Sequence, residues 1–472
     1  MITENKVSEP IKTSHSILEK FSNFYFIGIG GIGMSNLARY FLSHNKQVAG
    51  YDRTSTTLSQ QLEKEGALIH YEDNVNNILP RFKNPETTLM IYTPAVPGSQ
   101  REFVYFTENN FVFMKRAQVL GEITKLNRAI CCAGTHGKTT VSSMIAHALR
   151  QSSVDCSAFL GGILKNYQSN LLISDTSDIT VIEADEYDRS FHWLHPWIAI
   201  ITSTDPDHLD VYENTQQYHE SFEKFTSLIR NNGYLIIKKG LSITPQCHES
   251  VTQYTYSLTE GDFYADNIHY GNGTLVFDLV YPEGILKRIN LGVPVLINVE
   301  NAIAAAAAAW LSGVSPDEFK VALSNYQGAK RRFDLRFKSN EVVFVDDYAH
   351  HPNELMASIL SIKKLYTGKK ITGIFQPHLY SRTRDFLDDF AASLSLLDEL
   401  ILLDIYPARE EPIEGITSQL ILDKVTIENK ILCSKEELLN VLKDRTPEVL
   451  VTLGAGDIES MLPDIEQYCR NI

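Results

Sequence analysis

The sequence predicts an α/β protein of three domains, and three observations lead there. The chain has 472 residues, which is about three domains at roughly 150 residues each. Short apolar runs alternate with stretches of helical pattern, the βαβ rhythm of a parallel sheet. Two glycine-rich turns, Gly28–Gly33 and Gly134–Thr139, each stand between an apolar run and a helical stretch.

Residues 1–21 read as a polar extension. The first strand is expected at Phe24–Ile27 and runs into glycines. A helix follows over 32–42, then strands at 47–51, 89–92 and 111–113. A second unit opens near Arg128, with strands at 179–183, 197–202 and 234–237 and a helix over 298–311. Six consecutive alanines, Ala304–Ala309, suit tight packing against a neighbour. The third unit starts near Arg332, with strands at 342–346, 371–376, 400–404 and 449–453. The domains expected are 22–125, 126–328 and 329–472.

Composition excludes several classes. Lys and Arg number 43 against 58 Asp and Glu, a formal charge of −15. Such a chain is a poor general binder of nucleic acid or anionic membrane. An anionic substrate must be met by local cations and backbone N–H groups. No uncharged apolar run approaches the ~20 residues of a membrane helix. Met1–Pro10 lacks the apolar core of a signal peptide. Six cysteines without a Cys-x-x-Cys pair form neither a disulfide framework nor a zinc pattern. A cytoplasmic protein is expected, monomer or homodimer.

Gly28-Ile-Gly-Gly-Ile-Gly33 fits G-x-G-x-x-G, with Asp52 about twenty residues on. Absent side chains let backbone N–H groups approach a diphosphate at a helix N-terminus. The loop alone does not say which diphosphate, and it would equally suit a nicotinamide-dependent oxidoreductase. Gly134-Thr-His-Gly-Lys-Thr139 resembles a Walker A loop, although Cys132 stands where its first glycine belongs. Lys138 would serve the β- and γ-phosphates, and Thr139 Mg2+. Glu183-Ala-Asp-Glu-Tyr-Asp188 and Thr204-Asp-Pro-Asp-His-Leu-Asp210 end successive strands of the same unit. Oxygen-rich clusters of this kind suit Mg2+. In the third unit Asp346-Asp-Tyr-Ala-His-His-Pro352, Gln376-Pro-His-Leu-Tyr-Ser-Arg-Thr-Arg384 and Gly454-Ala-Gly-Asp457 all fall at strand ends. Open parallel sheets bind ligands at that edge.

Taken in order, Gly-Thr-His-Gly-Lys-Thr, Glu-Ala-Asp-Glu, Asp-His-Leu-Asp, Asn298-x-x-Asn301, Lys330-Arg-Arg-Phe333 and Asp-Asp-Tyr-x-His-His-Pro resemble the Mur ligases, ATP-dependent amide-forming enzymes of peptidoglycan synthesis. The resemblance runs from about residue 22 to the C-terminus. It implies a Rossmann-like UDP-binding domain, a central P-loop ATPase, and a C-terminal Rossmann-like domain that closes over the site. Within the family, Gly-Ile-Gly-Gly-Ile-Gly-Met34, Gln-Pro-His-x-Tyr and Gly-Ala-Gly-Asp-Ile458 are most similar to members that take UDP-N-acetylmuramate and L-alanine.

Carried over by motif, Gly134, Thr135, His136, Gly137, Lys138, Thr139 and Thr140 hold ATP. Thr139, Glu183 and His208 hold Mg2+, with Mn2+ as an alternative. Asn298 and Asn301 contact the nucleotide from one helix face. Arg332 and Asp347 act on ATP, completing the expected catalytic set with Lys138, Glu183 and His208. Gly28, Gly30, Gly31, Gly33, Met34, Asp52 and Thr93 bind the UDP-sugar. His350, His378 and Arg382 face its muramoyl or alanine end. The reaction implied joins L-alanine to the lactoyl carboxylate through an acyl phosphate, giving an amide, ADP and phosphate. A recycling ligase that attaches a murein peptide to the same sugar nucleotide is the neighbouring alternative. An oxidoreductase leaves Gly-Lys-Thr unexplained.

Overall fold

The computed structural model describes residues 16–93, 96–207, 211–271, 274–408 and 410–472. The chain is already folded at Ser16. Leu18 and Phe21, expected within a polar extension, are each 5% exposed and join the hydrophobic core. The described chain forms two compact units. The first comprises residues through Ile163, Gln168–Phe263 and Ala304–Phe319; the second comprises Leu164–Tyr167, Tyr264–Ile303 and Lys320–Ile472.

The first unit holds two sheets. One contains β1 (Asn23–Ile27), β2 (Gln47–Tyr51), β3 (Leu68–His70), β4 (Thr88–Tyr92) and β5 (Val112–Lys115) in the order β3-β2-β1-β4-β5. Every pairing is parallel. A parallel sheet is covered on both faces, which is why β1 is the unbroken apolar run Phe-Tyr-Phe-Ile and is buried throughout. Between these strands lie α1 (Ile32–Ser43), α2 (Thr57–Lys64) and α3 (Arg101–Glu108), and α4 (Arg116–Leu126) follows β5. The chain leaves β1 for β2 on one side and later places β4 on the other. The glycine loop after β1 therefore sits at a topological switch point.

The second sheet runs β12-β11-β10-β6-β9-β7-β8. Its strands are β6 (Arg128–Ala133), β7 (Ser157–Leu164), β8 (Ser169–Leu172), β9 (Ile179–Glu183), β10 (Ile198–Ile201), β11 (Tyr234–Lys238) and β12 (Thr252–Tyr256). Central β6 leads into α5 (Lys138–Arg150). Register aligns Cys132 with Glu183 on one side and Ala133 with Ile201 on the other. The phosphate-type loop is thereby flanked by both acidic motifs. Cys131 and Cys132 lie beneath it, both fully buried and free.

In the second unit, β13 (Tyr264–Gly271), β14 (Thr274–Tyr281) and β15 (Gly284–Asn290) form an antiparallel sheet. Helix α7 (Leu296–Leu311) begins in this unit, and its alanine run, Ala304–Ala309, belongs to the first unit; the six alanines are at most 3% exposed. A helix apolar all round is a buried one. The last sheet is ordered β16-β17-β21-β18-β19-β20. Its strands are β16 (Asp334–Lys338), β17 (Val343–Asp347), β18 (Ile371–Phe375), β19 (Glu399–Leu403), β20 (Lys430–Cys433) and β21 (Val449–Leu453). Only β16 is antiparallel, against β17. Leu453 pairs with both Asp347 and Phe375, so all three motif-bearing strands end side by side.

The backbone enforces glycine inside β2. A β-carbon on Gly50 would lie 2.4 Å from the Phe26 carbonyl oxygen. We expect Gly50→Ala to lower stability by ~1–3 kcal/mol, the usual cost of overpacking, as measured by urea unfolding.

Candidate active site

In the first unit the glycine loop is shaped by its own backbone. Gly28 has φ 84° and donates its N–H to the Tyr51 carbonyl at 2.8 Å. Gly30 N–H donates to Asp52 Oδ2 at 2.7 Å, and a β-carbon at Gly30 would lie 2.9 Å from that oxygen. Asp52 thus tethers the loop itself. Met34, expected at the substrate, is 1% exposed and packs in the core beneath the loop. Thr93 lies just past β4 and is half-buried.

The loop after β6 is fixed from the neighbouring strand ends. Gly134 has φ 141°, and a β-carbon there would lie 2.1 Å from Thr202 Oγ1. Thr202 Oγ1 donates to the His136 carbonyl, and His136 N–H donates to Ser203 Oγ at 2.7 Å. Thr135 Oγ1 donates to the Asp205 carbonyl at 2.6 Å. Gly137, at φ 85°, caps α5, so Lys138, Thr139 and Thr140 form its first turn.

Lys138 Nζ donates to the Gly134 carbonyl at 2.7 Å and lies 2.7 Å from Glu186 Oε2. The Glu186 side chain is 1% exposed. Burial pulls the Lys138 pKa down, but the charges of Glu186, Asp185 and Glu183 outweigh it and leave the pKa raised. Lys138 is therefore a held ammonium. Glu183 accepts the Gly161 N–H at 3.0 Å, and a β-carbon on Gly161 would come within 2.3 Å of the carboxylate. Gly161 lay outside the motifs, and Glu186 stood within Glu-Ala-Asp-Glu without a role of its own. A glycine inside a strand, the usual mark of close approach, was the signal for the first. His208 lies outside the described residues.

In the second unit Asn301 Nδ2 donates to Asn298 Oδ1 at 3.1 Å, with both side chains buried near the start of α7. Lys330–Phe333 is a strained turn, because Arg331 and Phe333 take φ of 62° and 47°. A left-handed non-glycine residue costs ~1–3 kcal/mol. Buried Arg331 donates from Nε to Asp346 Oδ2 at 3.3 Å and from Nη2 to the Gly454 carbonyl at 2.6 Å. Arg332, between the strained residues, sits 4.9 Å from the Tyr348 ring centroid. Burial raises the Asp346 carboxyl to about 6 against the pull of Arg331 and a Thr452 hydrogen bond. Burial also raises Asp347, with Ser358 and Arg332 opposing.

His350, His378 and Arg382 come together. The two imidazole centroids are 6.0 Å apart, and Arg382 Nη1 lies 3.4 Å from His378 Nδ1. Burial pushes His350 down to about 4, with Glu354 opposing and Arg382 adding to it. Burial, His350 and Arg382 push His378 down to about 4. His351 is instead the cap of α9 (Pro352–Leu365), accepting the Asn353 N–H. Gln376 joins two motifs: Nε2 donates to Asp457 Oδ1 at 2.8 Å, and Oε1 accepts the Ile458 N–H at 2.8 Å.

Neutral imidazoles in the fold, against a pKa near 6.5 in the unfolded chain, make the unfolded state bind more protons between about pH 4 and 6.5. Their contribution is present above about pH 6.5 and is lost as pH falls towards 4. Ring NMR should give His350 and His378 midpoints well below 6. His378→Gln should flatten the acid-side loss of stability, and midpoints near 6.5 would contradict the burial.

Comparison with known proteins gives a consistent result. Residues 23–128 match the Mur ligase family catalytic domain, 132–309 the Mur ligase middle domain and 331–456 the Mur ligase glutamate ligase domain. A UDP-N-acetylmuramate–L-alanine ligase of Parabacteroides distasonis is 60% identical over 457 residues, covering 96% of this chain and 99% of that one. A Porphyromonas gingivalis protein of the same name is 52% identical, covering 95% and 99%. The crystal structure of a Thermotoga maritima UDP-N-acetylmuramate–alanine ligase matches with a TM-score of 0.79 at 25% identity, over 95% of this chain and 100% of that one.

Proposed function

The chain belongs to the Mur ligase family, and from that premise we propose that it joins L-alanine to the lactoyl carboxylate of UDP-N-acetylmuramate with conversion of ATP to ADP and phosphate. The relatives that carry this activity in their names are 44–60% identical over at least 93% of the chain. The observation that carries the chemistry is a held Lys138 ammonium at the start of α5, with Glu183 and Glu186 at the adjoining strand end. We assign the domains to 22–125, 126–328 and 329–472. The protein belongs to the cytoplasm in this reading, because two of its substrates, ATP and the UDP-sugar, are nucleotides.

A carboxylate is a poor acyl donor, since its leaving group would be oxide. Transfer of the γ-phosphoryl group gives an acyl phosphate that the alanine amine attacks. Donor and acceptor are both anions, so their repulsion is the main obstacle. Lys138 and Arg332 oppose it electrostatically. Thr139 and Glu183 offer oxygen donors suited to a hard cation. With His208 they form the proposed metal set, and Mg2+ usually keeps several waters and takes substrate phosphates as further ligands. Mg2+ bound there would neutralise phosphate charge; Mn2+ has the same donor preference. Asn298, Asn301 and Asp347 are assigned to the nucleotide. His350, His378 and Arg382 are assigned to the muramoyl and alanine end, where neutral imidazoles accept or donate one proton each.

Phosphate release should require both UDP-N-acetylmuramate and L-alanine, with a UDP-muramoyl-alanine mass as product. Release with a murein tripeptide but not with alanine would establish the recycling ligase instead. Lys138→Ala should abolish turnover and leave UDP-sugar affinity by calorimetry intact. Because that change strands buried Glu186 without its cation, Lys138→Ala/Glu186→Gln is the companion that separates lost chemistry from lost fold. Gly161→Ala should displace Glu183 and raise the Mg2+ concentration needed for half-maximal rate.

A further inference from the structure

The glycine loop needs a cation that the motifs do not supply. One of its N–H groups, at Gly30, is already held by Asp52. That carboxylate repels a diphosphate, and the chain carries a net charge of −15. Arg116, the first residue of α4, answers this need. A β-carbon built on Gly33 lies 2.9 Å from both Cδ and Nη1 of Arg116. The last glycine of the loop is thus the seat of a guanidinium.

That guanidinium has a second claimant. Arg116 Nη2 lies 3.9 Å from Oδ2 of Asp185, and neighbouring Lys115 faces Asp188 at 4.0 Å. Asp185 is held in place, since its Oδ1 accepts the Tyr187 N–H at 3.1 Å and its carbonyl accepts the Phe191 N–H at 2.9 Å. The loop beyond it is shaped by Asp188 and Arg189 at φ of 51° and 53°. The side chains of Arg116 and Asp185 are 33% and 46% exposed, and ion pairs of that kind are weak enough to exchange.

We propose that Arg116 binds the diphosphate of the sugar nucleotide at the glycine loop and that Asp185 competes with it for this guanidinium. The proposal rests on reading the glycine loop as the UDP site. Filling the loop then frees Asp185, whose charge also acts on Lys138. Arg116 joins the two nucleotide loops by sharing one cation between two anions.

Calorimetry with UDP and with uridine tests this on the full chain. Arg116→Ala should weaken UDP about tenfold, the scale of a charged hydrogen bond, and leave uridine unchanged. Arg116→Lys should keep most of the UDP affinity. Asp185→Asn should tighten UDP about threefold, the scale of an exposed ion pair, and should do nothing when Arg116 is already Ala. Equal weakening of UDP and uridine by Arg116→Ala would reduce Arg116 to packing and overturn the proposal. Unchanged UDP affinity in Asp185→Asn would overturn the competition. A wild-type protein that binds no UDP would overturn the glycine-loop reading, and the proposal with it.

Discussion

The ion pair between Lys138 and Glu186 is the interaction around which the first unit is organised. A carboxylate 1% exposed is tolerable only beside a cation, because burying a lone charge is prohibitively unfavourable. The cation must therefore be fixed, and the rest follows. Gly134 and Gly137 turn the chain so that α5 begins at Lys138. Thr202 and Ser203, at the end of β10, hold that turn from the side. Such a pair adds little net stability, since desolvation offsets attraction. Its value is in position: the ammonium is held charged and largely desolvated at the head of α5.

The second unit meets an equivalent demand by strain. Arg331 is buried and bonded three ways, to Asp346, Gly454 and Glu459, and those bonds hold two left-handed residues in place. The strained turn presents Arg332 over the Tyr348 ring rather than burying it. Adjacent cations thus have opposite tasks, one anchoring the turn and one left accessible.

Buried parallel strands were legible because their sequences are continuous apolar runs. Ile179–Glu183 and Val449–Leu453 fall at their expected bounds. The antiparallel strands β13 to β15 were not foreseen. Thr274–Tyr281 alternates buried and half-exposed residues, a weaker signal than an apolar run. Motif order singled out Lys138, Glu183, His350, His378 and Arg382, and the structure brings the last three together. It did not identify Glu186 as the partner of Lys138, nor Gly161 as the seat of Glu183, because pairing across strands depends on register. Nor did Lys-Arg-Arg say which arginine is buried. Nor did the spacing of Asp52 show that its carboxylate accepts the Gly30 N–H.

Cys131 and Cys132 lie in the central strand directly beneath the phosphate-type loop, with no exposed surface. Burial pushes both thiols well above their usual pKa, and reactivity belongs to the thiolate. Alkylation of this pair therefore requires the sheet to open. A thiol reagent would act as a clock for local unfolding at this strand, its modification of the pair, apart from that of half-buried Cys247, measuring how often the strand breathes.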